Sequence, residues 1–217
     1  MAPGGWNEPE YRVTMPRTRP ATPQATNAIL IVLVLVFLYE LFIFDRYGDA
    51  VAGRIFAIYR DWPLRPWSLV TSTLSHGSWN HLFFNGLFLY FFGPTIEGVV
   101  GAKRYALFFV LSGAVSGVVQ ATLSDHPALG ASGALMGLLG VSLILMPKSQ
   151  MIIFPLPVPI PLWVGGILYA VLDVLGAFNP ASAIGNFAHL SGLALGLLYG
   201  LRIQKDMRRR GLRLIYR

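Results

Sequence analysis

Apolar residues in this chain fall into long unbroken blocks. They do not alternate as in half-buried strands, nor form the one-sided stripe of a soluble helix. Six blocks stand out: Ala28–Phe44, Asn80–Val99, Tyr105–Leu123, Leu129–Met146, Ile160–Gly176 and Ile184–Leu201. A hydrocarbon core about 30 Å thick is crossed by roughly 20 helical residues, with a range of about 17 to 25. Lipid leaves the edge of an open strand unpaired, so blocks of this length are expected to be helices. The pattern therefore predicts an all-α, polytopic membrane protein with six transmembrane helices. Val51–Tyr59 is too short to cross and carries Arg54, so it reads as an interfacial helix. Residues 1–26, rich in Pro, Thr and Arg, read as a disordered tail, residues 27–203 as the helical domain and residues 204–217 as a basic tail. Within the domain, residues 45–80 read as a long connection between the first two spans. The first apolar block starts late and has no small-residue cleavage pattern after it, so it is expected to be retained.

Composition supports this class. Of 217 residues, 54% are apolar and 12% charged, with a mean hydropathy of +0.57; soluble domains carry about 25% charged residues. The absence of cysteine excludes a disulfide scaffold, a thiolate metal site and a cysteine nucleophile. Four histidines leave little room for an all-histidine metal site, so no metal and no cofactor is expected. The net charge of +7 is explained by its distribution. With six spans, thirteen Lys and Arg lie on the face of both termini and only Arg46, Arg54, Arg60 and Arg65 on the other. The positive-inside rule then places both termini in the cytoplasm, in a cell (plasma or inner) membrane, and no nucleic acid is needed to account for the basic residues.

This orientation makes spans two, four and six start at the extracytoplasmic face. Their N-terminal ends, with free N–H groups and partial positive charge, converge at one depth. His81 and Asn85 sit there on one face of span two, Ser132 opens span four within Gly130-Ala131-Ser132-Gly133, and His189 lies early in span six. Taken singly, each has an ordinary explanation. A serine at a helix start is usually a cap, and a lone membrane histidine or asparagine usually joins helices. Their common depth favours chemistry. Glycines reinforce it: Gly133, Gly137 and Gly140 in span four and Gly192, Gly196 and Gly200 in span six are spaced for close backbone approach. If these stripes face each other, Ser132 and His189 come within hydrogen-bond reach, the minimum arrangement for a serine nucleophile. Asn85, His81 and the N–H of Ser132 are then placed to stabilise an oxyanion.

From Trp67 to Leu201 the chain resembles the rhomboid intramembrane serine proteases in their basic six-helix form. His81-Leu82-Phe83-Phe84-Asn85 resembles the HxxxN motif of that family, Gly130-Ala131-Ser132-Gly133 its GxSG, and Ala188-His189 with Gly192 and Gly196 its AHxxGxxxG. Glu97, Gly101 and Arg104 match a further Glu-x-x-x-Gly-x-x-Arg run. The resemblance implies a rhomboid-like bundle in which Ser132 is the nucleophile and His189 the base of a dyad. It also implies an oxyanion and substrate-binding region made by His81, Asn85, Ser132 and Gly130. Residues 45–80 become a half-submerged loop held by Trp62, Trp67 and Trp79, and span five a movable neighbour past which substrate enters. The partners implied are transmembrane protein substrates within the lipid bilayer. Where the family often has Trp-Arg, Trp67 is followed by Ser68; Arg65 is the candidate replacement.

Asp173, in span five at about the depth of His189, has three readings: a group orienting His189, a polar lining of the substrate entrance, or a protonated packing group. Glu40 in span one is expected to bond a neighbouring span or the outer loop. Pro155, Pro157, Pro159 and Pro161 rule out helix before span five and predict an extended, loosely tethering connection. His126, beside Asp125, reads as a solvated loop residue. Water must reach the site, so the outer ends of spans two, four, five and six are expected to surround a polar cavity. Two rivals use the same residues differently: a transporter predicts polar residues deeper in the spans and internal repeats, neither of which occurs, and an idle binding protein predicts tolerance of losing Ser132 or His189.

Overall fold

A computed structural model describes residues 22–153, 156–179, 182 and 184–209. Eight α-helices are found among them: α1 Gln24–Tyr47, α2 Asp49–Phe56, α3 Ser68–Leu74, α4 Trp79–Val100, α5 Ala102–Leu123, α6 Ser132–Leu145, α7 Leu162–Ala177 and α8 Asn186–Arg209. Helices α1, α4, α5, α6, α7 and α8 occupy the six apolar blocks. Three of them, α1, α4 and α5, are long and apolar enough to cross a membrane on length and composition. Helices α6 and α7 are apolar but shorter, with 14 and 16 residues. The last turns of α8 carry Arg202, Lys205, Arg208 and Arg209. The short α2 overlaps Val51–Tyr59, where a short helix was expected.

The termini of several helices are fixed by side chains from other elements. Helix α1 starts at Gln24, inside the segment read as tail, because Glu97 of α4 accepts from the N–H groups of Ala25 at 2.9 Å and Thr26 at 2.8 Å and from the Thr26 hydroxyl at 2.7 Å. A carboxylate at a helix start satisfies orphaned donors and complements the helix dipole. Helices α4 and α5 are joined by Gly101 alone, whose φ of +84° suits glycine. Residues 1–21 and 210–217, most of the two proposed tails, lie outside the described residues.

Between α6 and α7 lies an antiparallel hairpin, β1 Gln150–Ile153 and β2 Leu156–Pro161, with Gln150 opposite Pro161 and Met151 opposite Ile160. The prolines do exclude helix, as expected, but the connection is a paired hairpin and not a loose strand. Pro159 and Pro161 fit it because they lie on a two-stranded sheet, where every strand is an edge. Pro155 lies outside the described residues.

The core is a seam between α6 and α8. A Cβ added at Gly192 would overlap the carbonyl oxygen of Gly133, and one at Gly196 that of Gly137. A Cβ at Gly140 would lie 2.5 Å from the carbonyl oxygen of Leu193. The two glycine stripes therefore face each other with backbone against backbone, as their spacing suggested. Helix α5 fits behind α6 in the same way: Ser116 lies where a Gly133 Cβ would be, at 2.5 Å. Apolar packing around Phe37, Leu89, Tyr105, Phe109 and Leu138 completes the interior. The outer faces of α1 and α7, including Ile31, Leu35, Phe42, Ile167, Leu172 and Leu175, are exposed apolar surface of the kind lipid covers.

The first loop folds against this body. Ile58 and Ala128 exchange backbone hydrogen bonds of 2.9 and 3.0 Å. Arg65 is buried, donates to the Arg54 carbonyl at 3.1 Å, pairs with Asp61, and lies 4.8 Å from the centre of the Tyr59 ring. It braces the loop from two positions before Trp67, and its hydrogen bond holds the Asp61 carboxyl below the usual carboxylate range. His76, a loop residue with 1% exposure, ties α1 to α4. Its N–H donates to Glu40 Oε2 at 2.9 Å, and its Nε2 lies 2.9 Å from Asn85 Nδ2. Burial, reinforced by nearby His81, pushes the His76 imidazole down to about 4.

Gly196→Ala should lower the thermal midpoint in detergent sharply, by the equivalent of about 1–3 kcal/mol or more, because backbone must yield to the new methyl. Gly98→Ala, where nothing lies within 4 Å, should be neutral or raise it, by up to about 1 kcal/mol. Acidification should also weaken the fold through His76. An unfolded chain takes up this proton near pH 6.5 and the native one only near 4, so the stability is complete above about 6.5 and is lost as pH falls towards 4. The loss amounts to about 3 kcal/mol. Thermal melts of wild type and His76→Gln at pH 7 and 4.5 measure it, and the variant should lose less on acidification.

Candidate active site

Three helix starts meet at one cavity. Ser132 is the first residue of α6, Asn186 is the first of α8, and His81 and Asn85 lie in the first two turns of α4. The α4 start is capped by Ser78 Oγ, which accepts from the His81 N–H at 3.2 Å. A side chain also caps the start of α8, since Gln120 Oε1 of α5 accepts from the Ala188 N–H at 3.2 Å. The glycine seam brings α6 and α8 together just inside these ends. As a result His189 Nε2 lies 2.9 Å from Ser132 Oγ, within hydrogen-bond range.

The cavity has a volume of about 490 Å³, and Ser132, His189, His81, Asn85 and Gly130 all line it. All five sequence candidates are thus brought together. Gly130 has a φ of +122°, and a Cβ there would lie 2.5 Å from His81 Cε1, so its lack of a side chain lets the loop pass flush against the imidazole. Its own N–H is engaged by the Ser72 carbonyl at 2.7 Å. Gly130 therefore contributes shape and a fixed chain path, with its N–H already spent on α3. Asn85 is oriented from behind: with Nδ2 donating, His76 accepts at Nε2, and one N–H of the amide remains for another partner.

The cavity wall differs from the expectation in one respect. Helices α4 and α6 and the start of α8 line it, but no α7 residue is among the lining; α5 supplies Gly113, Ser116, Gly117 and Gln120 instead. The reason is size. Small residues on α5 leave open volume beside Ser132, whereas α7 approaches from the far side of His189. There Asp173 Oδ1 lies 2.9 Å from His189 Nδ1 and accepts from Asn186 Nδ2, also at 2.9 Å. Asp173 is buried, which sets aside an exposed entrance lining. Glu40 bonds the outer loop through the His76 N–H, one of its two expected partners. His126 is exposed and lines the cavity mouth, and neighbouring Asp125 pairs with Arg60 at 3.1 Å.

Sequence reasoning missed His76, Gln120 and Asn186. Asn186 was within reach, because it precedes His189 by three residues and so shares its helix face. Gln120 was the one amide in an otherwise apolar or small-residue span. His76 gave no periodic signal, since it sits in a loop. Among the described residues no group of three or more His, Cys, Asp or Glu side chains is arranged to hold a metal ion. What the site can do chemically is activate a hydroxyl: an imidazole on the serine oxygen, next to amide and N–H donors at convergent helix starts.

The Rhomboid domain family matches residues 63–205. Rhomboid protease GlpG of Haemophilus influenzae is 29% identical over 182 residues, covering 82% of this chain and 90% of that protein. Rhomboid protein 1, mitochondrial, of Saccharomyces cerevisiae is 30% identical over 155 residues, 68% of this chain and 45% of the yeast protein. Rhomboid protease GluP of Bacillus subtilis is 29% identical over 131 residues, 60% of this chain and 24% of that protein. The chain thus spans nearly all of one of these relatives and less than half of the other two. With a family match over most of its length and a helical fold rich in lipid-compatible surface, the chain belongs to the rhomboid family of polytopic membrane proteins.

Proposed function

We propose that this protein is an intramembrane serine endopeptidase that cuts transmembrane helices of other membrane proteins near the extracytoplasmic surface. The observation that carries the proposal is the 2.9 Å contact of His189 Nε2 with Ser132 Oγ in a polar cavity within an apolar helical body. The chain crosses six times with both termini cytoplasmic, in keeping with its basic residues. It works in the cell membrane, with the lipid bilayer as its medium and no metal or cofactor.

In this reading, His189 Nε2 takes the Ser132 proton as Oγ attacks the substrate carbonyl carbon. The resulting oxyanion is held by Asn85, His81 and the N–H of Ser132, at the positive end of α6. His189 then returns the proton to the leaving amine as the C–N bond breaks, leaving an acyl-Ser132. Water entering by the cavity attacks that ester, again with His189 as base, and frees the carboxylate and the serine. Helices conceal their amides, so substrates carrying Gly or other helix-breaking residues near the cut are favoured.

The test is purified protein with a transmembrane substrate of that kind. Wild type should cleave, and Ser132→Ala and His189→Ala should lose cleavage by at least about 10⁴-fold. A serine-directed fluorophosphonate should label wild type at Ser132 and leave Ser132→Ala unlabelled. Equal cleavage by all three proteins would overturn the proposal. Asn85→Ala should lower kcat by about 10²- to 10³-fold with little change in KM, as expected for a donor used mainly in the transition state.

A further inference from the structure

Asp173 carries a carboxyl group in the C-terminal part of an apolar helix, where a charged or polar group is costly unless partners are supplied. Here partners are supplied in an ordered way for one carboxyl oxygen, Oδ1, while Oδ2 is buried without one. Ser182 Oγ donates to Asn186 Oδ1 at 2.7 Å, which leaves the Asn186 amide directed with Nδ2 towards Asp173. Asn186 Nδ2 and His189 Nδ1 then converge on the same oxygen, Oδ1, each at 2.9 Å. Space for this is built into α7: a Cβ at Gly176, three residues after Asp173, would lie 2.5 Å from Asn186 Nδ2. The acid, the amide that aims it and the glycine that admits the amide lie on two neighbouring helices.

For His189 Nε2 to receive the Ser132 proton, the resting imidazole must carry its single proton on Nδ1. That N–H needs an acceptor, and Asp173 Oδ1 is the acceptor in place. We infer that Asp173 is a positioning residue for the base. It fixes the Nδ1–H tautomer and ring orientation of His189 and stabilises the imidazolium formed when Nε2 takes the proton. This inference rests on the reading of Ser132 and His189 as nucleophile and base, and converts that dyad into a Ser132–His189–Asp173 triad drawn from α6, α8 and α7. It has a mechanical corollary. Only Leu162, Gly165, Gly166 and Asp173 of α7 are buried. Docking of this helix through Asp173 therefore becomes a condition for an oriented base.

The experiment compares wild type, Asp173→Asn, Asp173→Leu and Asn186→Ala as full-length purified proteins. It reads kcat and KM on the transmembrane substrate, the rate of fluorophosphonate labelling at Ser132, and the thermal midpoint. Asp173→Asn should lower kcat and the labelling rate together by about 10²-fold, with KM within about twofold and the midpoint little changed. Asp173→Leu should lose more, and Asn186→Ala, which leaves acid and base in place but unaimed, about threefold to tenfold. An Asp173→Asn protein that cleaves and labels at the wild-type rate would overturn the inference while leaving the protease reading intact. So would losses in all three variants that track the thermal midpoint and vanish on cooling, which assign Asp173 to packing. Failure of wild type itself to cleave or label would instead strike the underlying reading.

Discussion

The backbone contact between α6 and α8 is the constraint on which the site depends. Lipid gives helices no hydrophobic reason to associate, so contact must come from close van der Waals fit. At Gly192 and Gly196 that fit leaves no room for one further carbon atom. Ser132 immediately precedes Gly133, and His189 lies three residues before Gly192, so both side chains of the proposed dyad stand at one end of the seam. Their 2.9 Å separation is set by the register of the glycines more than by any interaction of the two side chains themselves.

Around this seam several of the scarce polar side chains do a common job: they satisfy backbone donors or polar groups of a different element. Glu97 of α4 receives the first N–H groups of α1, Gln120 of α5 receives an N–H in the first turn of α8, and Glu40 of α1 receives the N–H of His76 in the loop. Such groups would be costly in lipid and orphaned at helix ends; paired, each removes the other's desolvation cost and fixes where one helix begins relative to another. Asp173 follows the same pattern with side-chain partners, Asn186 and His189.

This division explains which features were legible in the sequence. Helix positions could be read from block length, because lipid imposes one rule on every residue of a span. The α6–α8 contact could be read because only small residues permit it, and Ser132, His189, His81 and Asn85 because polar groups are rare at that depth. The proline run before α7 was correctly non-helical, yet its pairing as a hairpin depends on the register of Gln150 with Pro161, which composition does not encode. His76 was invisible because a loop residue has no period, and its significance arises only when Glu40 and Asn85 arrive from two other helices. The exchange of α5 for α7 in the cavity wall was unreadable for a related reason. Alternate spans share a direction, but which odd-numbered neighbour leaves open volume depends on side-chain size where helices meet.

The same exchange accounts for the polarity of the site. With α5 small on one side, the cavity reaches Ser132 and the N-terminal ends of α4, α6 and α8. With α7 on the other, His189 faces a buried carboxylate away from that space. Positive helix ends therefore surround the place where, in the proposed reaction, a negative charge would develop, and the Asp173 carboxyl lies behind the imidazole, where a positive charge would develop. Interchanging the two helices would put the carboxylate beside the oxyanion and leave the Nδ1 proton without an acceptor. In the proposed reaction, the order of helices around the seam thus separates the two charges that acyl transfer would create.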